Sequence, residues 1–486
     1  MRLKTDGNFE IQQGAYEATW ESLAEYRCPE WFKNAKFGIW SHWGPQSVPR
    51  YGDWYARKMY LEGSDEYRYH CRVYGHPSKF GYKDIIKLWK AEKFDAEHLM
   101  KLFKDAGAKY FVAQAMHHDN FDNFDSEFQP RFNSVHMGPE KDIVGEWKKA
   151  AEKYGMKFGL SEHLAGSPGF MLASKGCDKE GKYKGIPYDG TQEEYYDLYY
   201  DETNTDMAWE KNWFCTKEEF YKHWFLRMKD AIDKYDPDLV YTDGPIPCEE
   251  YGRKIVAHLY NKSLQKNQGV NEAVYTQKNT EEFMRKAAVL DIECSREENI
   301  TPYYWQTDTG VGDWFYNLRD KYKTWNEIIE MLIDIVSKNG NLLITIPQLP
   351  DGTLDEECEW ILKQIAKWMK INGEGIFETR PFRVSGEGKT SYARTHSYDQ
   401  DALPWSSEDI RFTAKDHNVY AFLMRWPGDL AIVRSIPYGK EPVTKVELLG
   451  YGPVNYRQTQ AGLLVDLPAA APSELINCLK ITVEEQ

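Results

Sequence analysis

Short apolar runs that end abruptly on a charged or imidazole side chain recur along this chain. The run from Tyr110 to Met116 stops at His117, His118 and Asp119, three groups able to bind protons, metals or hydroxyls. A buried strand more commonly gives way to Gly, Pro or Ser, so this ending indicates a site. Four further runs end in the same way, at His42, His163, Asp243 and Glu293. Because the working residues of a (β/α) barrel lie at the C-terminal ends of its parallel strands, the pattern favours that fold.

The spacing of apolar positions predicts eight strands, several of which are separated by helices. The strands are predicted at 36–41, 109–115, 157–161, 239–242, 273–277, 289–292, 303–306 and 341–346. A 3.6-residue periodicity predicts helices from Asp95 to Gly107, from Asp142 to Gly155 and from Glu218 to Tyr235. Strands that alternate with helices indicate parallel β/α units. Little room is left for a helix between 293 and 303, so we predict an irregular (β/α)8-like barrel of the α/β class.

The pattern changes after a last amphipathic helix, which is predicted from Asp355 to Asn372 and is closed by Gly373. Short alternating runs with Gly and Pro turns follow, and these are typical of an antiparallel β-sandwich. We therefore predict a catalytic barrel domain over 1–373 and a C-terminal β-sandwich domain over 374–486. The chain length of 486 residues agrees with two domains, because one core usually stops growing at about 250–300 residues.

A long stretch rich in Gly, Tyr and Asp, residues 164–216, follows the third predicted strand. Long segments without predicted structure inside a compact domain are usually functional or disordered. We expect this insertion to form a lid or rim around the pocket, and a surface excursion is the alternative.

Charge and composition narrow the class of partner. The net charge is -15 and the pI is near 5.4, which disfavours nucleic acid because phosphate binding requires clustered Lys and Arg. No apolar run approaches the roughly 18 residues that span a bilayer, so no membrane partner is expected. Aromatic residues make up 15% of the chain, and they either fill a large core or present flat faces to a sugar. A neutral ligand is favoured, and a homo-oligomer is left open.

The compartment is left open by the sequence. The cysteines are scattered without any CxxC pair or metal-finger spacing, and in so long a chain they do not imply a disulfide framework. The first residues, Met1-Arg-Leu-Lys-Thr-Asp-Gly-Asn8, carry no apolar core of a signal peptide. We expect a cytoplasmic protein, or a periplasmic or secreted one if a leader has been removed.

Two of the strand-end residues are carboxylates placed as glycoside hydrolysis requires. Asp243 leaves a buried run at a Gly-Pro turn, and Glu293 ends another run. Over one barrel mouth, one carboxylate attacks the anomeric carbon while the other protonates the leaving oxygen. Alone, Asp243 is equally well explained as a helix cap. Glu293 has rivals for the role of acid/base in Glu162, Glu297 and Glu298.

The strand-end histidines allow a second chemistry. Imidazole and carboxylate at barrel strand ends also suit Zn or Mn, and the candidate ligands are His42, His117, His118, His163, Asp119 and Asp243. Adjacent residues in a strand point to opposite faces, so His117 and His118 are not expected to reach one ion without a bend. Neutral imidazoles that hydrogen-bond sugar hydroxyls serve equally well, and a structural role for the histidine pair is a third option. We predict no metal.

Several ordered motifs resemble the α-L-fucosidases of glycoside hydrolase family 29. They are Trp31-Phe-Lys-Asn-Ala-Lys-Phe-Gly-Ile-Trp-Ser-His-Trp-Gly44, Asp53-Trp-Tyr55, His117-His-Asp119, Asp236-Pro-Asp-Leu-Val-Tyr-Thr-Asp-Gly244 and Val336-Ser-Lys-Asn-Gly-Asn-Leu-Leu-Ile-Thr-Ile-Pro347. The match runs from about residue 20 to 385. The resemblance implies exo-acting hydrolysis of terminal α-L-fucosides of an oligosaccharide, with retention of configuration and no cofactor.

Carried over position by position, the resemblance makes Asp243 the nucleophile, and the alignment of Leu290-Asp-Ile-Glu293 makes Glu293 the acid/base. It places His42, Trp54, His117 and His118 around the sugar hydroxyls, with Trp314 or Phe315 against the methyl group at C5. We also predict substrate-binding roles for Asp53, Glu162, His163 and Lys278.

The chain also departs from the family pattern around the pocket. The departures are Met116 and Asn120 beside the histidine pair, Ser161-Glu-His163, Thr276-Gln-Lys278 and Gln306. These changes leave the linkage and the sugar open. L-Galactose adds one hydroxyl to L-fucose at C6, and an apolar pocket rejects an extra hydroxyl by only about 100-fold. An α-L-galactosidase is therefore the alternative prediction, and a sugar-binding homologue without catalysis is a third.

Overall fold

The computed structural model describes residues 3–201, 214–390 and 404–484. Eight parallel strands close into a barrel in chain order. They are β1 (Phe37–Ser41), β2 (Tyr110–Gln114), β3 (Lys157–Glu162), β4 (Leu239–Thr242), β5 (Val274–Gln277), β6 (Val289–Asp291), β7 (Trp305–Gly310) and β8 (Gly340–Thr345). The barrel closes where β1 pairs with β8, with Phe37 opposite Leu342. The predicted barrel is confirmed.

The seventh strand differs from its prediction at 303–306, because β7 begins later and continues to Gly310. Its polar residues Thr307, Asp308 and Thr309 are buried in the barrel, so a search for apolar runs ends too early. Residues 292–304 contain no helix, which agrees with the irregular barrel predicted for this region.

Helices connect the strands and cover the barrel. Within the described ranges they are α1 (Trp20–Leu23), α2 (Glu30–Ala35), α3 (Tyr55–Lys58), α4 (Asp65–Val73), α5 (Tyr82–Leu88), α6 (Ala96–Asp105), α7 (Ile143–Tyr154), α8 (Ser167–Met171), α9 (Tyr196–Tyr199), α10 (Glu218–Tyr235), α11 (Glu250–Lys266), α12 (Glu282–Ala287), α13 (Trp325–Ser337) and α14 (Glu356–Asn372). Their ends follow the predicted signals. The Asp95 side chain accepts from the His98 amide at 2.9 Å, and α7 ends at Gly155 with a φ of 64°. Among the described helices, none combines the length and the apolar character that crossing a bilayer requires.

Two antiparallel sheets follow the barrel. Their strands are β9 (Arg380–Glu387), β10 (Ile410–Lys415), β11 (Asn418–Leu423), β12 (Leu430–Val433), β13 (Val443–Leu448), β14 (Gly452–Pro453), β15 (Tyr456–Thr459), β16 (Gly462–Asp466) and β17 (Asn477–Val483). One sheet has the order β14-β13-β17-β11-β10-β9 and the other the order β12-β16-β15. Alternate residues such as Phe412, Leu448 and Val465 form a second core, as a β-sandwich requires. The predicted sandwich is confirmed.

The insertion at 164–216 is described except for residues 202–213, which lie outside the described ranges. Its first part contains α8, α9 and short 3-10 turns rather than a structureless loop. The buried carboxylate of Asp189 joins it to the rest of the barrel domain, because it accepts a hydrogen bond at 2.7 Å from the Tyr60 hydroxyl. Within the insertion it accepts a second one at 2.7 Å from the Tyr199 hydroxyl.

A buried ion pair fixes the loop that follows β2. The Nε of Arg227, on α10, donates to Asp122 Oδ2 at 3.2 Å, and its Nη1 donates to Asn120 Oδ1 at 2.6 Å. The side chains of Arg227 and Asp122 are both fully buried. Such a pair ties the segment after His118 to the outer helix layer, and its disruption leaves an uncompensated charge in the core.

We predict that Asp122→Ala lowers the free energy of unfolding by about 3–5 kcal/mol, because the Arg227 guanidinium then stays buried without its carboxylate. Equilibrium urea unfolding followed by tryptophan fluorescence measures the loss. The double variant Asp122→Leu/Arg227→Met should recover part of it, and the surface variant Lys101→Ala should leave the midpoint unchanged. A loss for Asp122→Ala no larger than that of the surface variant would contradict the prediction.

Candidate active site

A cavity of about 210 Å³ opens at the C-terminal ends of the barrel strands. It is lined by Trp40, His42, Asp53, Trp54, His117, His118, His163, Phe214, Tyr241, Asp243, Gly244, Lys278, Glu293, Asp308 and Trp314. The structure thus brings together all but two of the site residues predicted from the sequence. The two that do not line the cavity are Glu162 and Phe315.

The charged side chains of the site lie at the ends of strands, where the apolar runs in the sequence predict them. Asp243 directly follows β4, Lys278 directly follows β5, and Glu293 comes two residues after β6. Because these strands are neighbours in the barrel, their ends project three charged side chains into one volume.

Lys278 lies between the two candidate catalytic carboxylates. Its Nζ is 2.8 Å from Asp243 Oδ1 and 2.6 Å from Glu293 Oε2. The two oxygens therefore cannot be farther apart than the sum of these distances, about 5.4 Å. Retaining glycosidases hold their carboxyl groups about 5–5.5 Å apart, whereas inverting ones need about 6.5–9.5 Å to admit a water. This upper limit lies below the inverting range and agrees with the retaining class.

Asp243 is held in its ionised form. Burial alone would raise the pKa of its carboxyl, but the Lys278 ammonium and a hydrogen bond from His118 outweigh burial, and the pKa lies well below its usual range. The His118 Nε2 atom is 3.3 Å from Asp243 Oδ2. A carboxylate that stays ionised and faces a cavity is suited to nucleophilic attack.

Glu293 has the opposite tendency. The charge of Lys278 lowers the pKa of its carboxyl, but burial and the nearby carboxylates of Asp308 and Asp243 together raise it above the ordinary value. Its side chain is 46% exposed, which places it at the mouth of the cavity. A carboxyl group with a raised pKa at the mouth is suited to protonate a leaving group that faces solvent.

Three buried histidines form one wall of the cavity. Burial lowers the pKa of His42 to about 3, and burial likewise lowers the pKa values of His117 and His163 well below the usual range. The His117 Nδ1 atom is 2.9 Å from Gln46 Nε2, whereas Nδ1 of His42 and of His163 have no hydrogen-bond partner among the described residues. Neutral imidazoles with open hydrogen-bonding positions are suited to bind sugar hydroxyls.

The same three histidines satisfy the proximity that a metal site needs. One ligand atom from each of His42, His117 and His163 lies within 4.8 Å of the others. Asp119, another candidate ligand, is occupied elsewhere, because its carboxylate accepts from the Tyr82 hydroxyl and from the Phe121 amide at 3.3 Å. The absence of a metal requirement stays a prediction.

His117 and His118 both line the cavity, contrary to the expectation that they point to opposite faces. The pleat of a strand imposes that alternation, but β2 already ends at Gln114. The histidines lie in the loop after the strand, where both side chains are able to turn inward.

Glu162 was predicted to bind substrate, and the structure places it outside the cavity. It is the last residue of β3, so its side chain points away from that of its neighbour His163. Its carboxylate accepts from the Thr242 hydroxyl, from the Leu164 amide at 2.8 Å and from Trp224 Nε1 at 3.1 Å. Through these hydrogen bonds, the Glu162 carboxylate connects β3 to β4 and to α10.

Phe315 also lies behind the cavity wall. Its ring is buried against those of His42 and His117, with centroids 4.7 and 5.4 Å away. Of the two aromatic residues predicted to contact the sugar, only Trp314 lines the cavity. The rival acids Glu297 and Glu298 do not line it either.

The sequence departures beside the histidine pair do not reach the cavity. Asn120 adopts a φ of 61°, a conformation that Asn tolerates better than most residues. Its side-chain amide donates to the Asp197 and Leu198 carbonyls at 3.0 and 2.9 Å. Asn120 therefore connects the loop after β2 to the insertion. The other departure, Met116, is buried. Neither residue lines the cavity, and the effect of these two departures on the linkage or the sugar stays a prediction.

Gln306 is likewise buried away from the cavity lining. Its Nε2 donates to Asp291 Oδ2 at 2.6 Å, and its Oε1 accepts from the Tyr110 hydroxyl at 2.7 Å.

Asp308 is the site residue that the sequence reasoning missed. It lies within β7 and lines the cavity, and its Oδ2 accepts from the Tyr241 hydroxyl at 2.9 Å and is 3.5 Å from Lys278 Nζ. The sequence contained one signal for it, because polar residues alternate at Gln306 and Asp308 within a buried strand. Buried polar residues need hydrogen-bond partners. Trp40, Phe214, Tyr241 and Gly244 were also missed.

Asp53 and Trp54 also line the cavity. Trp54 has a φ of 62° and a ψ of 17°, which a bulky residue rarely adopts and which is concentrated at ligand sites. Burial and the neighbouring Asp313 raise the pKa of Asp53 well above its usual range. Its protonated form is able to donate a hydrogen bond to a sugar hydroxyl.

Two family models match the chain. One is described as alpha-L-fucosidase and matches residues 5–374, and the other is described as alpha-L-fucosidase C-terminal domain and matches residues 404–482. The tissue alpha-L-fucosidase of Rattus norvegicus is 29% identical over 469 residues, which cover 94% of this chain and 89% of the relative. The tissue alpha-L-fucosidase of Homo sapiens is 27% identical, with 96% and 92% covered.

Solved structures agree with these relatives. The alpha-fucosidase of Thermotoga maritima in complex with fucose is 25% identical and matches with a TM-score of 0.73, covering 96% of this chain and 100% of that chain. The barrel, the sandwich and the resemblance in the motifs therefore point to one family. Since the first family model spans well over half of the sequence, the chain belongs to the alpha-L-fucosidase family of glycoside hydrolases, family 29.

Proposed function

We propose that the protein is an exo-acting, retaining α-L-fucosidase that releases terminal α-L-fucose from oligosaccharides without a cofactor. The proposal rests on one observation, which is that the carboxylates of Asp243 and Glu293 both contact Lys278 Nζ. The two contacting oxygens are therefore no more than about 5.4 Å apart. That spacing supports double displacement. The family and the fucose-bound relative support the sugar.

In the first step, Asp243 attacks the anomeric carbon and forms a glycosyl ester, while the bond from that carbon to the glycosidic oxygen breaks. Glu293 transfers its proton to the departing oxygen. In the second step, Glu293 takes a proton from water, and the water oxygen replaces Asp243 at the anomeric carbon. Two inversions return the original configuration.

The size of the cavity supports exo action. Sites for drug-sized ligands usually measure about 300–1,000 Å³, whereas this cavity measures about 210 Å³. It is therefore suited to one sugar ring, with the remainder of the glycan outside the mouth near Glu293. His42, His117 and His163 face the hydroxyls, and Trp314 supplies the apolar contact for the C5 methyl group.

We predict that Asp243→Ala lowers kcat/KM on an aryl α-L-fucoside by at least about 1,000-fold, because the attacking oxygen is removed. Azide should restore turnover and yield the β-L-fucosyl azide, since it attacks once from the vacated side. Glu297→Ala, in the following loop, serves as the control and should keep wild-type rates. Undiminished hydrolysis by Asp243→Ala would refute the assigned nucleophile.

Lys278→Met should move both limbs of the kcat/KM profile to higher pH. The active form has Asp243 ionised and Glu293 protonated, so activity falls below the pKa of the first and above the pKa of the second. Lys278 lowers both pKa values, and its removal raises both, by about 1 unit or more. Lys278→Arg keeps the charge and is the matched control. Limbs that stay at the wild-type pH in Lys278→Met would rule out this role of the lysine.

The sugar preference is testable with matched aryl glycosides. We predict that kcat/KM for the α-L-fucoside exceeds that for the α-L-galactoside by about 10–200-fold, because the added hydroxyl faces Trp314. Trp314→Ala should reduce the ratio. A ratio at or below one in the wild type would favour the α-L-galactosidase instead.

A further inference from the structure

The loop that carries Glu293 is attached to the barrel at its start. The Ile292 amide donates to the Gln306 carbonyl and the Cys294 amide to the Asp308 carbonyl, both at 2.8 Å. The Cys294 backbone adopts a φ of 48°, in the left-handed region that a residue with a side chain rarely occupies. Such a conformation persists only where the surrounding structure holds it.

After Ser295, whose carbonyl accepts from the Thr307 hydroxyl on β7 at 2.6 Å, the loop is held by a buried ion pair. Arg296, three residues after Glu293, is 4% exposed, and its Nη1 lies 3.1 Å from Oδ2 of Asp334 on α13. Three residues of chain span at most about 10 Å, so the position of Arg296 limits where Glu293 lies. Asp334 is fully buried, and burial would raise the pKa of its carboxyl, but the surrounding cations lower it below the usual range.

The other oxygen of Asp334 is held by the C-terminal sandwich. Arg411, on β10, donates from Nε to Asp334 Oδ1 at 2.8 Å. Arg411 is itself fixed, because its Nη2 donates to the Thr390 carbonyl at 2.7 Å and its guanidinium lies 4.5 Å from the centre of the Trp405 ring. The carboxylate of Asp334 thus joins the Glu293 loop to the second domain.

We propose that the C-terminal sandwich positions the general acid/base of the barrel, through the chain Arg411, Asp334 and Arg296. This inference rests on the proposed function, in which Glu293 is that group. Arg411, Asp334 and Arg296 are positioning residues, because none of them lines the cavity. The sandwich therefore contributes to the proton transfer at a distance and does not contact the sugar through these residues.

The experiment uses full-length variants and two aryl α-L-fucosides that differ in leaving group. Phenyl fucoside needs the proton from the acid, whereas 2,4-dinitrophenyl fucoside departs as a stable anion and needs it little. Because kcat/KM reports only the steps up to formation of the glycosyl enzyme, it isolates the acid role of Glu293. A variant that merely lowers the folded fraction reduces both rates equally.

We expect Arg411→Met to lower kcat/KM on phenyl fucoside by about 10-fold and on the dinitrophenyl substrate by less than about 2-fold. Asp334 keeps Arg296 and Lys338 as partners in this variant, so no anion is left unpaired. Arg296→Met should show the same selectivity. Lys338→Met is the matched control, because Lys338 Nζ binds the same carboxylate at 2.8 Å but connects neither the loop nor the sandwich.

Glu293→Gln is the reference for complete loss of the acid, with the fall on phenyl fucoside about 100-fold or more. Equal losses on both substrates in Arg411→Met, or no loss on either, would overturn the positioning role while the Glu293→Gln selectivity leaves the proposed function intact. If Glu293→Gln itself lacks selectivity, the assignment of the acid fails first. A thermal melt of each variant confirms that folded protein is compared.

Discussion

The contact of one lysine with the two candidate catalytic carboxylates is the interaction on which the rest of the site depends. Asp243, Glu293 and Asp308 meet at one end of the barrel, and Lys278 Nζ lies 2.8, 2.6 and 3.5 Å from them. Without that cation, repulsion between the carboxylates would raise the pKa of Asp243 and that of Glu293. With it, Asp243 stays ionised although it is buried, whereas burial and the nearby carboxylates still hold the pKa of Glu293 above its ordinary value. Two similar carboxyl groups thereby become suited to different tasks.

The fold holds this cluster rigidly from several directions. The ends of the adjacent strands β4, β5 and β6 position the three charged groups, and the buried, uncharged histidines line the same small cavity. Burial keeps those imidazoles neutral, so they add hydrogen-bonding capacity without adding charge beside Lys278. The loop of Glu293 is attached both to β7 and, through Asp334, to the sandwich. In the proposed arrangement, the sandwich adds support to the loop of Glu293, which β7 holds on both sides of that residue through the Ile292 and Cys294 amides.

The sequence predicts the features that local pattern determines. Asp243 and Glu293 were found because each follows an apolar run, and the end of such a run marks the end of a buried strand. The direction of a side chain at that end follows from the pleat, so Glu162 was misplaced beside His163. Asp308 was missed because it lies inside a polar strand. The ion pairs of Asp334 join segments far apart in sequence, and no local pattern marks them.

The configuration of the first sugar released tests the central claim most directly. Proton NMR of the anomeric signals, recorded in the first minutes after the addition of a large amount of enzyme to an aryl α-L-fucoside, resolves the two anomers before mutarotation mixes them. The close placement of Asp243 and Glu293 predicts α-L-fucose as the initial product, with the β anomer appearing later. Initial release of β-L-fucose would mean a single displacement by water and would contradict the account.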